Sequence, residues 1–375
     1  MRYIEEFVRA DLKKKMVFIG GPRQCGKTTL AKRILSEVGG RYFTWDLDED
    51  RKSILKKNWS ESEPLLVFDE LHKFFRWKNW IKGIFDTQHD RHQLLVTGSA
   101  RLDVFRRGGD SLLGRYHYWR LHPFTLDERP PKMTVAEAFA RLLSVGGFPE
   151  PFLTNEARFA KRWRRDREDR VLRDDLRDLE HVREISAIAL LVASLRQRVG
   201  GLVVMGNIAQ DLQVSPNSVK HWITLLERMY LVFAVPPYTQ GVPRAIQKPP
   251  KVYFFDNGDV EGDGGARFEN LVATHLLKWI HFLEDHEGDR WALHYLRDKE
   301  GREVDFAITK NRKLVALVEA KLSDAEPSKS LKYFAERLKP QLAIQIVADV
   351  KKPMKKAGIV IEGVAALTRN FLAAL

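Results

Sequence analysis

Apolar positions along the chain alternate between short runs and longer stretches with helical period. MVFIGG at 16–21 is an apolar run ending in glycines, and TTLAKRIL from Thr28 onward repeats apolar residues at helical spacing. The pattern predicts strand, Gly-rich turn, helix. Two more apolar runs, PLLVFDE at 64–70 and QLLVTGSAR at 93–101, end in polar residues. Strands of open α/β sheets do this where ligands bind. Residues 126–195 read as helical, and VAEAFARLLSVGG there stops at a glycine pair. GNIAQDLQV is a short amphipathic helix, and SPNS is a turn with Ser215 and Asn217 as cap candidates. SVKHWITLLERMYLVFAVPPY then predicts a longer helix running into a strand. Further on, ARFENLVATHLLKWI has helical period, and TKNRK separates the apolar runs FAI and LVALVEAK as a hairpin turn would.

At 375 residues the chain has room for two or three domains. Hydrophobic residues at 44% and charged residues at 30% make it globular rather than disordered. There is no internal repeat and no low-complexity tract. A net charge of +13 points to nucleic acid or another polyanion as partner, against a merely solvated Arg-rich surface. The single cysteine, Cys25, lies in the Gly-rich turn, so no disulfide framework forms within the chain, which suits a reducing cytoplasm. The first fifteen residues lack a signal-peptide core, and no run reaches 18 apolar residues. The expectation is therefore a cytoplasmic protein without a membrane partner.

The candidate chemistry begins at the first turn. Gly21, Pro22, Arg23, Gln24, Cys25, Gly26, Lys27 and Thr28 fit G-x-x-x-x-G-K-[ST], with Thr29 continuing into the helix. Glycines let backbone N–H groups converge on phosphates, Lys27 would reach the β/γ-phosphates of ATP, and Thr28 offers a hydroxyl to Mg2+. Asp69 would hold the metal through its water shell and Glu70 would polarise the attacking water, although acidic residues also cap helices after strands. Thr97 or Ser99, with Ser99 favoured, would sense the γ-phosphate. Arg115, in LLGR, would serve a neighbouring subunit as an arginine finger or pair with a surface acid.

The order of phosphate loop, DE strand, TGS strand and LLGR resembles a family of prokaryotic AAA+ ATPases. GGFPEP (146–151), PPY (236–238), PKVYFFDNG (250–258), RFEN (267–270) and EVDF…EAK follow in that family's order. The resemblance implies a P-loop AAA+ core at 1–125, a helical lid or connector at 126–195, a winged helix at 196–255 and a PD-(D/E)XK nuclease-like α/β domain at 256–375. Such an ATPase would form a ring of about six copies.

Within that frame, the charged stretch from Arg158 is basic in its first half, at Lys161, Arg162, Arg164, Arg165 and Arg167. It would track a phosphate backbone or form an exposed, salt-bridged lid helix. Two helices, a short turn and a β extension read as a winged helix-turn-helix. Asn217, Ser218, Lys220 and His221 would then face DNA, unless the module serves protein contacts. The basic segment at 243–251 follows. In the last domain, the nuclease-like frame makes Glu269, Asp305 and Glu319 metal ligands. Lys321, two residues after Glu319, lies on the same strand face. Such a set cuts DNA or survives as a binding module. The leading expectation is a DNA-stimulated ATPase acting on branched or duplex DNA in repair or recombination, mostly through backbone contacts. The alternatives are an ATP-gated endonuclease and a nucleotide-dependent binding switch without motor activity.

Overall fold

The strand runs read from the sequence pair into one parallel sheet, with two further strands at its edges. These strands are β1 (Met16–Gly20), β2 (Arg41–Thr44), β3 (Leu65–Asp69), β4 (Gln93–Thr97) and β5 (Tyr116–Arg120), in the spatial order β2-β3-β4-β1-β5. The computed structural model describes residues 2–98, 112–175, 184–239, 249–323, 326–350 and 352–368. Ser99, most of the basic segment at 243–251 and residues 176–183 of the charged stretch lie outside the described residues. The chain divides into two compact units, Met1–Pro123 and Phe124–Leu375.

In the first unit β1 and β3 are buried at every position. Parallel strands covered on both faces read as continuous apolar runs. Among the described residues, α1 (Glu5–Leu12) precedes β1, and α2 (Lys27–Val38), α3 (Asp48–Lys56) and α4 (Trp77–Gln88) connect successive strands. An aromatic core of Phe18, Phe43, Phe68 and Trp77 fills one side of the sheet, with Phe43 and Phe68 stacked 5.6 Å apart. Burying one such ring stabilises by about 1.5–3 kcal/mol. The topology places β4 between β1 and β3. The strand leading into the glycine turn and the strand ending in Asp69 therefore both abut the C-terminal end of β4.

The second unit opens with α5 (Val135–Val145), whose start is a capping box between Thr134 and Glu137. It continues through α6 (Pro149–Thr154), α7 (Ala157–Arg170) and α8 (Ile185–Arg196). The short helix α9 (Met205–Asp211) and the longer α10 (Pro216–Arg228) come next. Ser215 is the N-cap of α10, accepting from the Ser218 N–H, so the helix begins two residues earlier than its apolar period alone indicates. Strands β6 (Val232–Val235) and β7 (Lys251–Phe254) form an antiparallel pair.

The remaining elements build a six-stranded mixed sheet beside the helix α11 (Gly264–Glu287). Its strands are β8 (Trp291–Arg297), β9 (Glu303–Lys310), β10 (Lys313–Lys321), β11 (Leu342–Val347), β12 (Met354–Lys356) and β13 (Ile359–Gly363), ordered β12-β13-β11-β10-β9-β8. The amphipathic helix α12 (Lys329–Leu338) buries Leu331 and Phe334 against Val304, Ala307 and Leu317. The expected hairpin is present: β9 and β10 pair antiparallel, and Asn311 and Arg312 between them have φ of 50° and 69°. Two successive left-handed residues make a turn whose twist matches the flanking strands. Asp263 caps α11 through the Ala266 N–H, which places Glu269 in the second turn of the helix.

Candidate functional site

The glycine turn is held in a shape that excludes larger residues. Gly21 has φ +135°, and a Cβ there would lie 2.3 Å from the Leu121 carbonyl oxygen. Gly26, the residue before α2, has φ +94°. The first amide of α2 with an intrahelical acceptor is that of Leu30, which donates to Gly26 O at 2.9 Å. The N–H groups of Lys27, Thr28 and Thr29 thus stand at a helix start with no intrahelical acceptor, where an anion is favoured. The Lys27 ammonium is buried and donates to the carbonyls of Gly21 (3.0 Å) and Pro22 (2.6 Å). Cys25 lies beneath the loop, its thiol donating to Leu121 O at 3.3 Å.

The acidic strand meets this loop directly. Thr28 Oγ1 donates to Asp69 Oδ2 at 2.7 Å, Tyr42 OH donates to the same oxygen at 2.6 Å, and Thr97 Oγ1 donates to Oδ1. Burial and then Asp69 keep the Tyr42 phenol protonated well above its ordinary range. Sequence reading missed Tyr42, because nothing in RYFT signals that β2 pairs with β3. It weighed Thr97 only as a γ-phosphate sensor, whereas the hydroxyl is spent on Asp69.

Glu70 follows Asp69 in left-handed backbone, φ 57°, a conformation that costs a non-glycine residue about 1 kcal/mol. Its N–H donates to Thr97 O at 2.9 Å, which fixes the turn. Burial raises the Glu70 carboxyl above the ordinary range, against the lowering pull of Lys73 and Lys27. Asp69 and Glu70 therefore diverge in environment, one held by three hydroxyls and the other partly desolvated. Arg115, just before β5, makes a two-pronged ion pair with Asp86 of α4, Nε–Oδ1 2.6 Å and Nη2–Oδ2 3.2 Å. This is the surface pairing weighed as the alternative to an arginine finger.

In the second unit, Asn217, Lys220 and His221 are exposed on α10, while the half-buried Ser218 shares a hydrogen bond with Ser215. The basic face of α7 is smaller than its sequence suggests. Arg167 is 4% exposed and donates to Tyr230 O and Asp259, and the half-buried Arg164 donates to Val145 O. Lys161, Arg162 and Arg165 stay exposed.

The carboxylates of the C-terminal sheet gather around an ammonium that sequence reading did not place there. Lys251 is 1% exposed, and its Nζ lies 2.7 Å from Glu303 Oε1, 3.1 Å from Glu269 Oε1 and 3.6 Å from Asp305 Oδ1. Tyr253 OH donates to Glu269 Oε1 at 2.6 Å, and Asp305 Oδ2 accepts the Ala320 N–H at 3.0 Å. Lys321 Nζ pairs with Glu319 Oε1 at 3.0 Å. Burial, and then Glu269 and Glu319, push the Asp305 carboxyl well above its usual range. Burial works against the Lys251 ammonium, but Glu269, Asp305 and Glu303 outweigh it and hold it charged. Among the described residues, no three or more His, Cys, Asp or Glu side chains, Glu269, Asp305 and Glu319 included, are grouped in metal-binding geometry. A cleft of about 590 Å3 opens beside the cluster, lined by Gly200, Asp263, Glu269, Asp305 and Lys321 among others. The available signal was period-two alternation in KVYF, which puts Lys251 and Tyr253 on one strand face.

The sheet order, the glycine loop, Lys27 and Thr28 at the start of α2, and Asp69 and Glu70 at the end of β3 define an AAA-type P-loop domain, a class that binds nucleotide. Residues 13–129 match a family model described as an AAA domain. Residues 136–260 and 264–361 match models described as domains of unknown function, DUF8612 and DUF4143. Two relatives, the uncharacterized proteins Mb2031c of Mycobacterium bovis and Rv2008c of Mycobacterium tuberculosis, are each 23% identical over 252 residues. These alignments cover 67% of this chain and 56% of each relative, so the chain spans little more than half of their length. Among solved structures, a Bacteroides Pif1 bound to single-stranded DNA aligns with 38% of this chain and 44% of that one, at 14% identity and TM-score 0.21. A signal transduction ATPase with numerous domains, with a tetratricopeptide repeat sensor, from Pyrococcus horikoshii aligns with 77% of this chain and 48% of that one, at 13% identity and TM-score 0.29. At such scores neither likeness bears on activity. Among the described residues no helix is long and apolar enough to cross a membrane.

Proposed function

We propose that this protein is a DNA-stimulated AAA+-type ATPase that works on branched or duplex DNA in repair or recombination. The observation that carries the ATPase part is the contact between Thr28 and Asp69. It brings the phosphate loop and the acidic strand together, which supports a shared nucleotide site. ATP would lie along the N–H groups of residues 24–29, with Mg2+ near Thr28 and Asp69, and bound Mg2+ would neutralise charge on the transferring phosphoryl group. Lys27 would bind the phosphates from its buried position. Glu70 would orient water and accept its proton, a role suited to a carboxyl raised above its ordinary range. Arg115 would leave Asp86 to serve a neighbouring copy in a ring of about six.

The DNA part is supported by the net charge of +13, by exposed Asn217, Lys220 and His221 on α10, and by exposed Lys161, Arg162 and Arg165 on α7. In this reading, α9, α10 and the β6–β7 pair act as a winged helix and the six-stranded sheet as a PD-(D/E)XK-like domain. Backbone contacts would dominate, so binding would fall steeply with salt. One observation favours a second reading, the nucleotide-dependent binding switch. Arg164 and Arg167 are spent on contacts inside their own unit, which shrinks the DNA-facing surface of α7.

ATP turnover measured with single-stranded, duplex, forked and four-way DNA separates the two. A several-fold rise with forked DNA supports the motor. Turnover indifferent to every nucleic acid would sink it and leave the switch.

A further inference from the structure

Most carboxylate oxygens at the C-terminal sheet already have donors from this chain, while the buried Glu319 Oε2 has no hydrogen-bond partner among the described residues. Glu269 Oε1 accepts from Lys251 and Tyr253, and Asp305 Oδ2 accepts from the Ala320 backbone. Glu303 is bound on both oxygens, Oε1 by Lys251 at 2.7 Å and Oε2 by Arg297 at 2.9 Å. Glu319 is paired with Lys321. Lys251 is the hub: one ammonium within 3.6 Å of three carboxylates, on a side chain only 1% exposed.

Its position is set by several backbone contacts, not by the ion pairs alone. Strand β7 is paired with β6 from Val232–Phe254 to Val235–Lys251. Lys251 also bridges to Leu202, and Tyr295 of β8 donates its hydroxyl to Pro249 O at 2.7 Å. On the same face as Lys251, the Tyr253 ring packs 5.6 Å from that of Phe306, the residue after Asp305. The lysine is thus built into the wall of the cluster.

We propose that Lys251 is the resident cation of this cluster and that the C-terminal unit works without a divalent ion. A divalent ion needs oxygen ligands at about 2.0–2.6 Å. Here it would have to displace the ammonium from the same oxygens or sit beside it against direct repulsion. Lys251 is a positioning residue: it holds Glu269, Glu303 and Asp305 together as a metal would. This assignment does not depend on the partner being DNA. Joined to the DNA reading, it means that Lys321, at the cleft, grips a phosphate without cleavage.

Titration of the full chain with Mn2+ alone, without nucleotide, tests this, with Asp305→Asn run in parallel to separate this cluster from the nucleotide site. The wild-type protein is expected to show no Mn2+ binding that Asp305→Asn removes. Lys251→Met is expected to gain one such Asp305-dependent site, tightening Mn2+ binding about tenfold or more, while Lys251→Arg stays like wild type. Stoichiometric, Asp305-dependent Mn2+ binding by the wild-type chain would overturn the proposal. That arm needs no Lys251 variant to fold. A folded Lys251→Met protein with no gain in Mn2+ affinity would also count against it. Loss of DNA stimulation of turnover would instead touch only the DNA reading.

Discussion

Thr28 donates its hydroxyl to Asp69 across 2.7 Å, although 41 positions separate them in the chain. The contact joins the start of α2 to the end of β3, and Glu70 follows in strained backbone. Lys27→Ala and Glu70→Gln should each lower ATP turnover by about 100-fold or more. Glu70→Gln should keep nucleotide binding and Lys27→Ala should weaken it. Nucleotide titration beside steady-state turnover checks both, and retained turnover in either variant refutes the site. The pH profile gives a second readout. Burial raises the Glu70 carboxyl, and a base must be ionised to act. The acid limb of turnover should therefore lie above the ordinary glutamate range of about 4.3, and Glu70→Gln should lack it.

Gly21 meets Leu121 too closely to carry a side chain, because a Cβ would stand 2.3 Å from a backbone oxygen. Gly21→Ala must therefore move the loop or β5. We expect nucleotide affinity to drop about tenfold or more while the protein stays folded by circular dichroism. Gly288 offers a control, since its φ is also positive at +79° but no atom lies within 4 Å. Gly288→Ala should bind nucleotide as wild type does.

Arg115 is held by Asp86 within its own chain. If it serves a neighbour during turnover, Asp86→Asn should raise the assembly-dependent rate and Arg115→Ala should abolish it. Mixing Arg115→Ala with Lys27→Ala protein should restore part of the activity, since each supplies what the other lacks. Mixtures no more active than the separate variants would show that sites are not shared.

His275 gives a pH dependence to the second unit. Its Nδ1 faces Leu271 O at 2.8 Å, and its Nε2 accepts the Leu126 N–H at 3.2 Å. Both contacts suit the neutral ring, and burial lowers its pKa from 6.5 to about 3. Between these values the unfolded chain binds a proton that the folded chain does not. Stability should therefore fall as pH drops through this window, with a limiting slope of about 1.4 kcal/mol per pH unit. His275→Phe should remove this contribution but cost about 1–3 kcal/mol at neutral pH, because the Leu126 N–H loses its acceptor. Urea unfolding from pH 4 to 8 compares the two slopes.

Features with a local cause were legible in the chain. The phosphate loop needs consecutive residues, so its strand, glycines, lysine and threonine are written in one stretch from Met16 to Thr29. The hairpin from Glu303 to Lys321 is equally local, because a two-residue turn between apolar runs sets its own register. Capping behaves likewise: Ser215, a cap candidate in the chain, holds the N–H three residues on.

What the chain alone did not reveal arises where distant segments meet. Tyr42 and Thr97 reach Asp69 only because β2 and β4 flank β3. Arg164 and Arg167 look like surface cations until the fold turns them toward Val145, Tyr230 and Asp259. Lys251 stands 18 positions before Glu269 and 54 before Asp305 (305 minus 251), and its strand motif carries no metal or nuclease signature. By itself the sequence determined the residue types and local geometry of a P-loop and a carboxylate hairpin. The tertiary structure decided which charge sits among those carboxylates. Ion pairs act over a few ångströms of space, and separation along the chain does not enter into them.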